Sequence, residues 1–252
     1  MKEQINKFGK YLFWLIPIFG IVLRLVVYFQ NRSVFLDEAN VCLNIIEKTY
    51  PDFFFPLDYD QMVPPLWSIV VKTFQIILGN SEFSFRLFPL ICSIFSIYLF
   101  WEISNKILQH KISILFINWI FATNIFLLKY ATEAKQYGSD VTVTLLLILF
   151  ALHEKDFNSN SSFFKWLCIG SISIWFSMPS VFILFGVGSY FLFQYSKKKK
   201  RIVFPKTLYA SFVWILLFGI YYYTLLRHNI QNDYLQNYHQ NYFLPIIPSS
   251  LS

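Results

Sequence analysis

Two adjacent carboxylates, Asp37 and Glu38, stand directly after the first long apolar run, in Phe35-Leu36-Asp37-Glu38-Ala39-Asn40. Such a group can take a proton from an attacking hydroxyl or bind a divalent ion. It can equally cap a helix, because Asp accepts backbone N–H bonds at a helix start and acids suit the positive end of the dipole. A second cluster, Leu57-Asp58-Tyr59-Asp60-Gln61-Met62-Val63-Pro64-Pro65-Leu66, reads alone as a turn into a helix. A third, Glu82-Phe83-Ser84-Phe85-Arg86-Leu87-Phe88-Pro89, puts Arg86 at the mouth of an apolar run. Arginine there either reaches for lipid headgroups or matches phosphate oxygens in a bidentate way. The fourth runs from Tyr130 through Glu133-Ala134-Lys135-Gln136-Tyr137 to Ser139-Asp140. If helical, Glu133 and Tyr137 are four apart and share a face with Asp140. Glu133 and Lys135 taken singly fit a solvated turn, whereas Asp140 falls inside the start of an apolar run, where a carboxylate is costly and commonly faces a cavity.

The elements that must position these groups follow from composition. The 252 residues are 56% hydrophobic and 21% aromatic but only 14% charged, which is too apolar for a soluble globular domain. The apolar runs suit helices crossing a hydrocarbon layer, and the alternation expected of a membrane barrel is missing. The sequence predicts an all-α polytopic membrane protein with about seven transmembrane helices, plus interfacial helices in the first exterior loop. Predicted spans cover residues 11–29, 87–104, 112–129, 137–152, 166–178, 180–195 and 207–226. The first reads as an uncleaved signal anchor, because it contains Arg24 and is followed by Gln30-Asn31-Arg32 where a small-x-small cleavage site would stand. Cys42, Cys92 and Cys168 are widely separated and read as packing residues. The net charge of +7 is concentrated beside apolar runs and fits anionic headgroups; no nucleic-acid module is visible.

The apolar stretch at 64–78 decides the topology. If it lies along the surface, most of the 21 Lys and Arg, including Lys106, Lys111, Lys155, Lys165 and the run Lys197-Lys198-Lys199-Lys200-Arg201, fall on the same side as the N-terminus. The positive-inside rule then makes the N-terminus cytoplasmic and the four clusters exterior or periplasmic, at the cell membrane. The loop 30–85 is expected to be a folded cap with two interfacial helices, one near Asp37 and one near Pro64-Pro65, with Trp67 and Lys72 at the headgroup boundary. Two short helices are expected to meet at Ser177-Met178-Pro179-Ser180, and 227–252 is expected to be an exterior tail.

The four clusters, in this order, resemble the C-type membrane glycosyltransferases, in particular bacterial relatives of the protein O-mannosyltransferases and of the lipid A aminoarabinose transferase. The match covers about residues 10–155. It implies a single transmembrane glycosyltransferase-like core over 1–252, a polyprenyl-phosphate sugar donor, and a lipid, glycan or protein acceptor, whose attack on the face opposite the leaving phosphate predicts inversion at the anomeric carbon. It implies Asp37 as base, with Glu38 assisting or holding a divalent ion, Arg86 on the donor phosphate, and Glu133, Lys135 and Tyr137 lining the cavity. Asp58, Gln61 and Asp140 belong to the same motifs as substrate-binding candidates. Val63 stands where some relatives carry His or Lys before the paired prolines, so contacts made there do not transfer. The chain is also shorter than family members commonly are, and reads as a minimal core, a truncated product or half of an assembly. Two other classes compete. A lipid or sugar transporter or flippase would need charges deep in several spans, where only Arg24, Glu102 and Asp140 occur. An inactive membrane scaffold would tolerate loss of the acidic pair.

Overall fold

The computed structural model describes residues 2–154, 156–157, 159–197 and 206–230, with side chains from Trp14 onward except Asn229. Every regular element among them is helical. α1 (Lys2–Phe29) ends where Asn31 takes a left-handed φ of 42°, which Asn tolerates better than most residues. An extended stretch leads to α2 (Leu36–Glu47), a 3-10 turn (Tyr50–Phe54) and α3 (Pro65–Leu78), whose opening proline lacks only an N–H the first turn does not need. α4 (Glu82–Ile107) starts with a reciprocal cap between Ser81 and Ser84. Then come α5 (Lys111–Thr123), α6 (Ile125–Tyr130), α7 (Tyr137–His153), α8 (Asn160–Phe176), α9 (Ser180–Lys197) and α10 (Lys206–Tyr221). A π-helical turn (Tyr222–Leu226) and a last helical turn, α11 (Arg227–Ile230), follow α10.

Two helical stretches, Glu82–Ile107 and Lys206–Leu226, are long and apolar enough to cross a membrane, and shorter apolar helices cover Trp14–Phe29, Pro65–Leu78, Lys111–Thr123 and Tyr137–His153. Three buried clusters hold the described residues together. One joins Leu99 and Ile103 of α4 to Leu145 of α7. A second joins Leu147 of α7 to Trp166 and Ile174 of α8, Leu184 and Phe191 of α9, and Trp214 of α10. The third is the core of a cap: Val41 and Ile45 of α2, Phe53, Leu57 and Val63 between helices, and Trp67 and Val71 of α3. It closes on Phe85 of α4 and Ala134 of the turn before α7, each the immediate chain neighbour of a charged site residue.

Several expectations are corrected. The 112–129 run is broken at Asn124, whose side chain accepts the N–H groups of Phe126 and Leu127 and starts α6 afresh. The helix expected from 166 begins at Asn160, because Ser159 caps it by accepting the Ser162 N–H. Trp67 is wholly buried in the cap core and not at a boundary, and Lys72 donates to the Ile46 carbonyl at 3.0 Å. The N-cap of α2 is Phe35, so Asp37 sits inside the first turn and is not a side-chain cap. Residues 131–136 are turns, so Glu133 shares no helix face with Tyr137. Residues 198–201 of the basic run, Lys155, the side chains of Lys2, Lys7 and Lys10, and the tail beyond Ile230 lie outside the described residues.

Candidate active site

Asp37 and Glu38 occupy the first turn of α2, where their negative charge suits the helix N-terminus. Successive helical side chains point about 100° apart, so neighbours on one turn meet different surroundings. The Glu38 carboxylate is 3% exposed and that of Asp37 is 69% exposed. The pair therefore divides into an inward member and an outward one.

Glu38 receives a bidentate ion pair from Arg86, with Nε to Oε1 at 2.7 Å and Nη2 to Oε2 at 2.8 Å. The Ala134 N–H donates to the same Oε1 at 2.8 Å, and Arg86 Nη1 donates to the Arg32 carbonyl at 2.6 Å. One buried ion pair thus ties together the end of α1, the start of α2, the start of α4 and the turn before α7. Arg86 is 2% exposed and its guanidinium faces Glu38 and not the surface. Glu38 in turn directs both oxygens at protein donors, which does not suit a ligand for a divalent ion.

The accessible chemistry lies one residue away. Lys135, whose side chain is 9% exposed, places Nζ 2.8 Å from Asp37 Oδ2 and donates to Gln61 Oε1 at 2.8 Å. Gln61 is fixed by a tight turn in which Tyr59 and Asp60 both have left-handed φ, and its Nε2 donates to the Tyr59 carbonyl at 3.1 Å. The neighbouring Gln136 Nε2 reaches the Met62 carbonyl at 3.5 Å. The result is an exposed carboxylate against a buried ammonium, an arrangement that can move a proton on one side and neutralise an anion on the other.

The remaining predicted residues take supporting places. Glu133 pairs with Arg32 at 2.9 Å, and Lys129 approaches it at 3.7 Å. Asp58 is 60% exposed and pairs with Lys48 at 2.9 Å, while its backbone N–H and carbonyl are both held by the Asn44 side chain. Tyr137 packs on Tyr130 with ring centroids 4.6 Å apart and feels the charges of Asp37, Glu133 and Asp140. Asp140 lies in the same first turn of α7 and lines a separate cavity with Tyr137. Burial, with the Glu38 charge adding to it, pushes the Cys42 thiol up to about 12, so this cysteine is a neutral packing group.

Sequence reasoning missed Arg32 and Asn44. Arg32 counted only as a basic residue after a span, yet its carbonyl and guanidinium serve both Arg86 and Glu133. The left-handed turn at Asn31 directly precedes it, a backbone feature visible only in the structure. Asn44 lies one helical turn from Asn40, whose carbonyl its side chain also engages, and it reads as an ordinary polar position. No family model, no curated protein and no solved structure matches this chain.

Proposed function

We propose that this chain is a membrane glycosyltransferase that moves a sugar from a polyprenyl-phosphate donor to an acceptor hydroxyl, with inversion. The observation that carries the reading is the outward Asp37 carboxylate held 2.8 Å from the inward Lys135 ammonium, beside the buried Glu38–Arg86 pair. Four ordered motifs, from four separate stretches of chain, meet there. In this reading α1, α4, α5 with α6, α7, α8, α9 and α10 are seven spans, the N-terminus is cytoplasmic, and α2, the 3-10 turn and α3 form an exterior cap. Outward apolar side chains such as Val26 on α1, Phe182 and Phe185 on α9, and Phe212 and Ile215 on α10 support contact with lipid.

The reaction asks for two services. As the acceptor oxygen attacks the anomeric carbon, the bond from that carbon to the phosphate oxygen breaks and its electron pair leaves on phosphate. Lys135 sits to neutralise that charge, in the place the family resemblance gives to Arg86. The acceptor proton goes to Asp37; an inverting displacement puts base and leaving phosphate on opposite faces of the sugar, so Asp37 and Lys135, 2.8 Å apart at rest, must part as the donor enters between them. An arriving phosphate competes with Asp37 for Lys135, so donor binding loosens the resting ion pair and makes Asp37 a better base. Glu38 and Arg86 act as positioning residues that fix α2 relative to Lys135.

The test is transfer itself. The purified chain, reconstituted in vesicles with radiolabelled polyprenyl-phosphate sugars and an envelope extract as acceptor, is expected to form donor-dependent product of inverted configuration. No product from well-folded protein with any donor in the panel would move the weight to a scaffold, and uptake or flipping of donor without bond cleavage would favour a transporter.

A further inference from the structure

The first turn of α7 faces a cavity of about 290 Å³, at the small end of the range for ligand sites. Its wall includes Ser93 and Ser96 of α4, Tyr130 of α6, Tyr137 and Asp140 of α7, and Pro179 from the turn before α9. Asp140 is the one carboxylate in that wall. Its Oδ1 is buried without a hydrogen-bond partner, and no basic side chain pairs with it among the described residues. The buried Ser177 hydroxyl stands within reach of this carboxyl, and the buried Tyr221 hydroxyl is close enough to sense its charge.

Two cations lie near, and neither pairs with Asp140. Arg24 directs its guanidinium at Ser93 Oγ, the Gly20 carbonyl and the Ala122 carbonyl, keeps Nη2 buried without a partner, and does not line the cavity. Lys129 lies over the Tyr130 ring at 5.4 Å and reaches toward Glu133. A carboxylate in apolar surroundings is costly unless a cation meets it, and the two tyrosine rings supply π faces that attract positive charge. The space is far larger than a bare metal ion requires and suits a small organic group.

We propose that this cavity binds an organic ammonium group, its N–H donors on Asp140 and its charge against the Tyr130 and Tyr137 rings. The ammonium belongs either to a membrane lipid headgroup or to a water-borne amine. The inference needs no transfer chemistry, so it can hold where the transferase reading fails.

Cyclohexylammonium and the neutral cyclohexanol, similar in shape, separate charge from size. With the full chain in phosphatidylglycerol nanodiscs at neutral pH, ligand-detected NMR titration is expected to show the ammonium binding at least about tenfold more tightly than the alcohol. Asp140→Asn should erase that preference and leave the alcohol unchanged, whereas Asp37→Asn should keep it. If Asp140→Asn fails to fold, Tyr130→Leu supplies the second variant, with a several-fold loss confined to the ammonium. Equal binding of the two probes by wild type, or a preference that survives Asp140→Asn, overturns the proposal. Competition by phosphatidylethanolamine nanodiscs assigns the site to a lipid headgroup, and undiminished binding there assigns it to a water-borne amine.

Discussion

At the scale of single residues, the acidic pair is two different things. Removing one partner of a buried ion pair leaves an uncompensated charge, which costs about 3–5 kcal/mol, whereas an exposed pair contributes about 0–1 kcal/mol. Glu38→Ala is therefore expected to lower thermal stability in detergent sharply, and Asp37→Asn to lower it less, because the buried Lys135 ammonium loses its counter-charge but keeps its bond to Gln61. Equal losses in the two variants would contradict the division between an inward Glu38 and an outward Asp37. Replacing Glu38 and Arg86 together by Met should cost less than the sum of the single changes, because neither charge is then stranded. The grouping of Asp37, Glu38, Arg86 and Lys135 was legible in the ordered motifs. Which member faces inward was not, because it depends on where α2 begins, and a one-residue change of start rotates the pair by about 100°. With Phe35 as N-cap, Glu38 meets Arg86. Arg32 stayed hidden for a related reason: its most buried service is performed by a backbone carbonyl, which carries no residue signature.

At the scale of elements, close approaches and corners carry the predictions. A methyl at Gly138 would stand 3.2 Å from the Tyr130 carbonyl and 3.3 Å from the Pro89 carbonyl, both backbone atoms with little room to yield. Gly138→Ala should cost about 1–3 kcal/mol and, by moving α7 off α4, loosen Lys135, measurable as a lower melting temperature. The corner between α7 and α8 is pH-dependent. Burial alone would push the Glu154 carboxyl up, but Lys165 at 2.5 Å, Ser162 at 2.8 Å and Trp166 at 3.0 Å all donate to it and hold it below its ordinary value. A depressed carboxyl stabilises the fold at neutral pH and loses that contribution as pH falls through its folded value. Trp166 emission should therefore change in the acid range, and Lys165→Met should move the change to higher pH; a transition unaffected by Lys165→Met would contradict this. Helix existence was legible from apolar runs, since each predicted span has a helical counterpart. Boundaries were less so, because Asn124 and Ser159 act through side-chain caps that interrupt or extend an apolar run.

At the scale of the whole molecule, the proposed topology puts the cap and the four motifs on one exterior surface of a bundle of seven spans. In a chain whose three cysteines are replaced by alanine, Asp60→Cys should react with a membrane-impermeant maleimide on intact cells, and Lys106→Cys only after permeabilisation. The reverse pattern would invert the topology and move the site to the cytoplasm. Two helical stretches are long and apolar enough to cross alone; the shorter apolar runs predicted as spans are helical, but their lengths fit surface-lying and crossing helices alike. The cap, by contrast, has a core of its own built on Val41, Phe53 and Trp67, which explains why a stretch as apolar as 64–78 need not cross. In the proposed reaction this cap holds Asp37 where it takes the acceptor proton. The most direct measurement of that role is the rate of donor-dependent sugar transfer by reconstituted Asp37→Asn against wild type at equal folded protein. The expected loss is at least about a hundredfold with donor binding retained, in line with removal of a general base. Transfer by the variant at the wild-type rate would contradict that role.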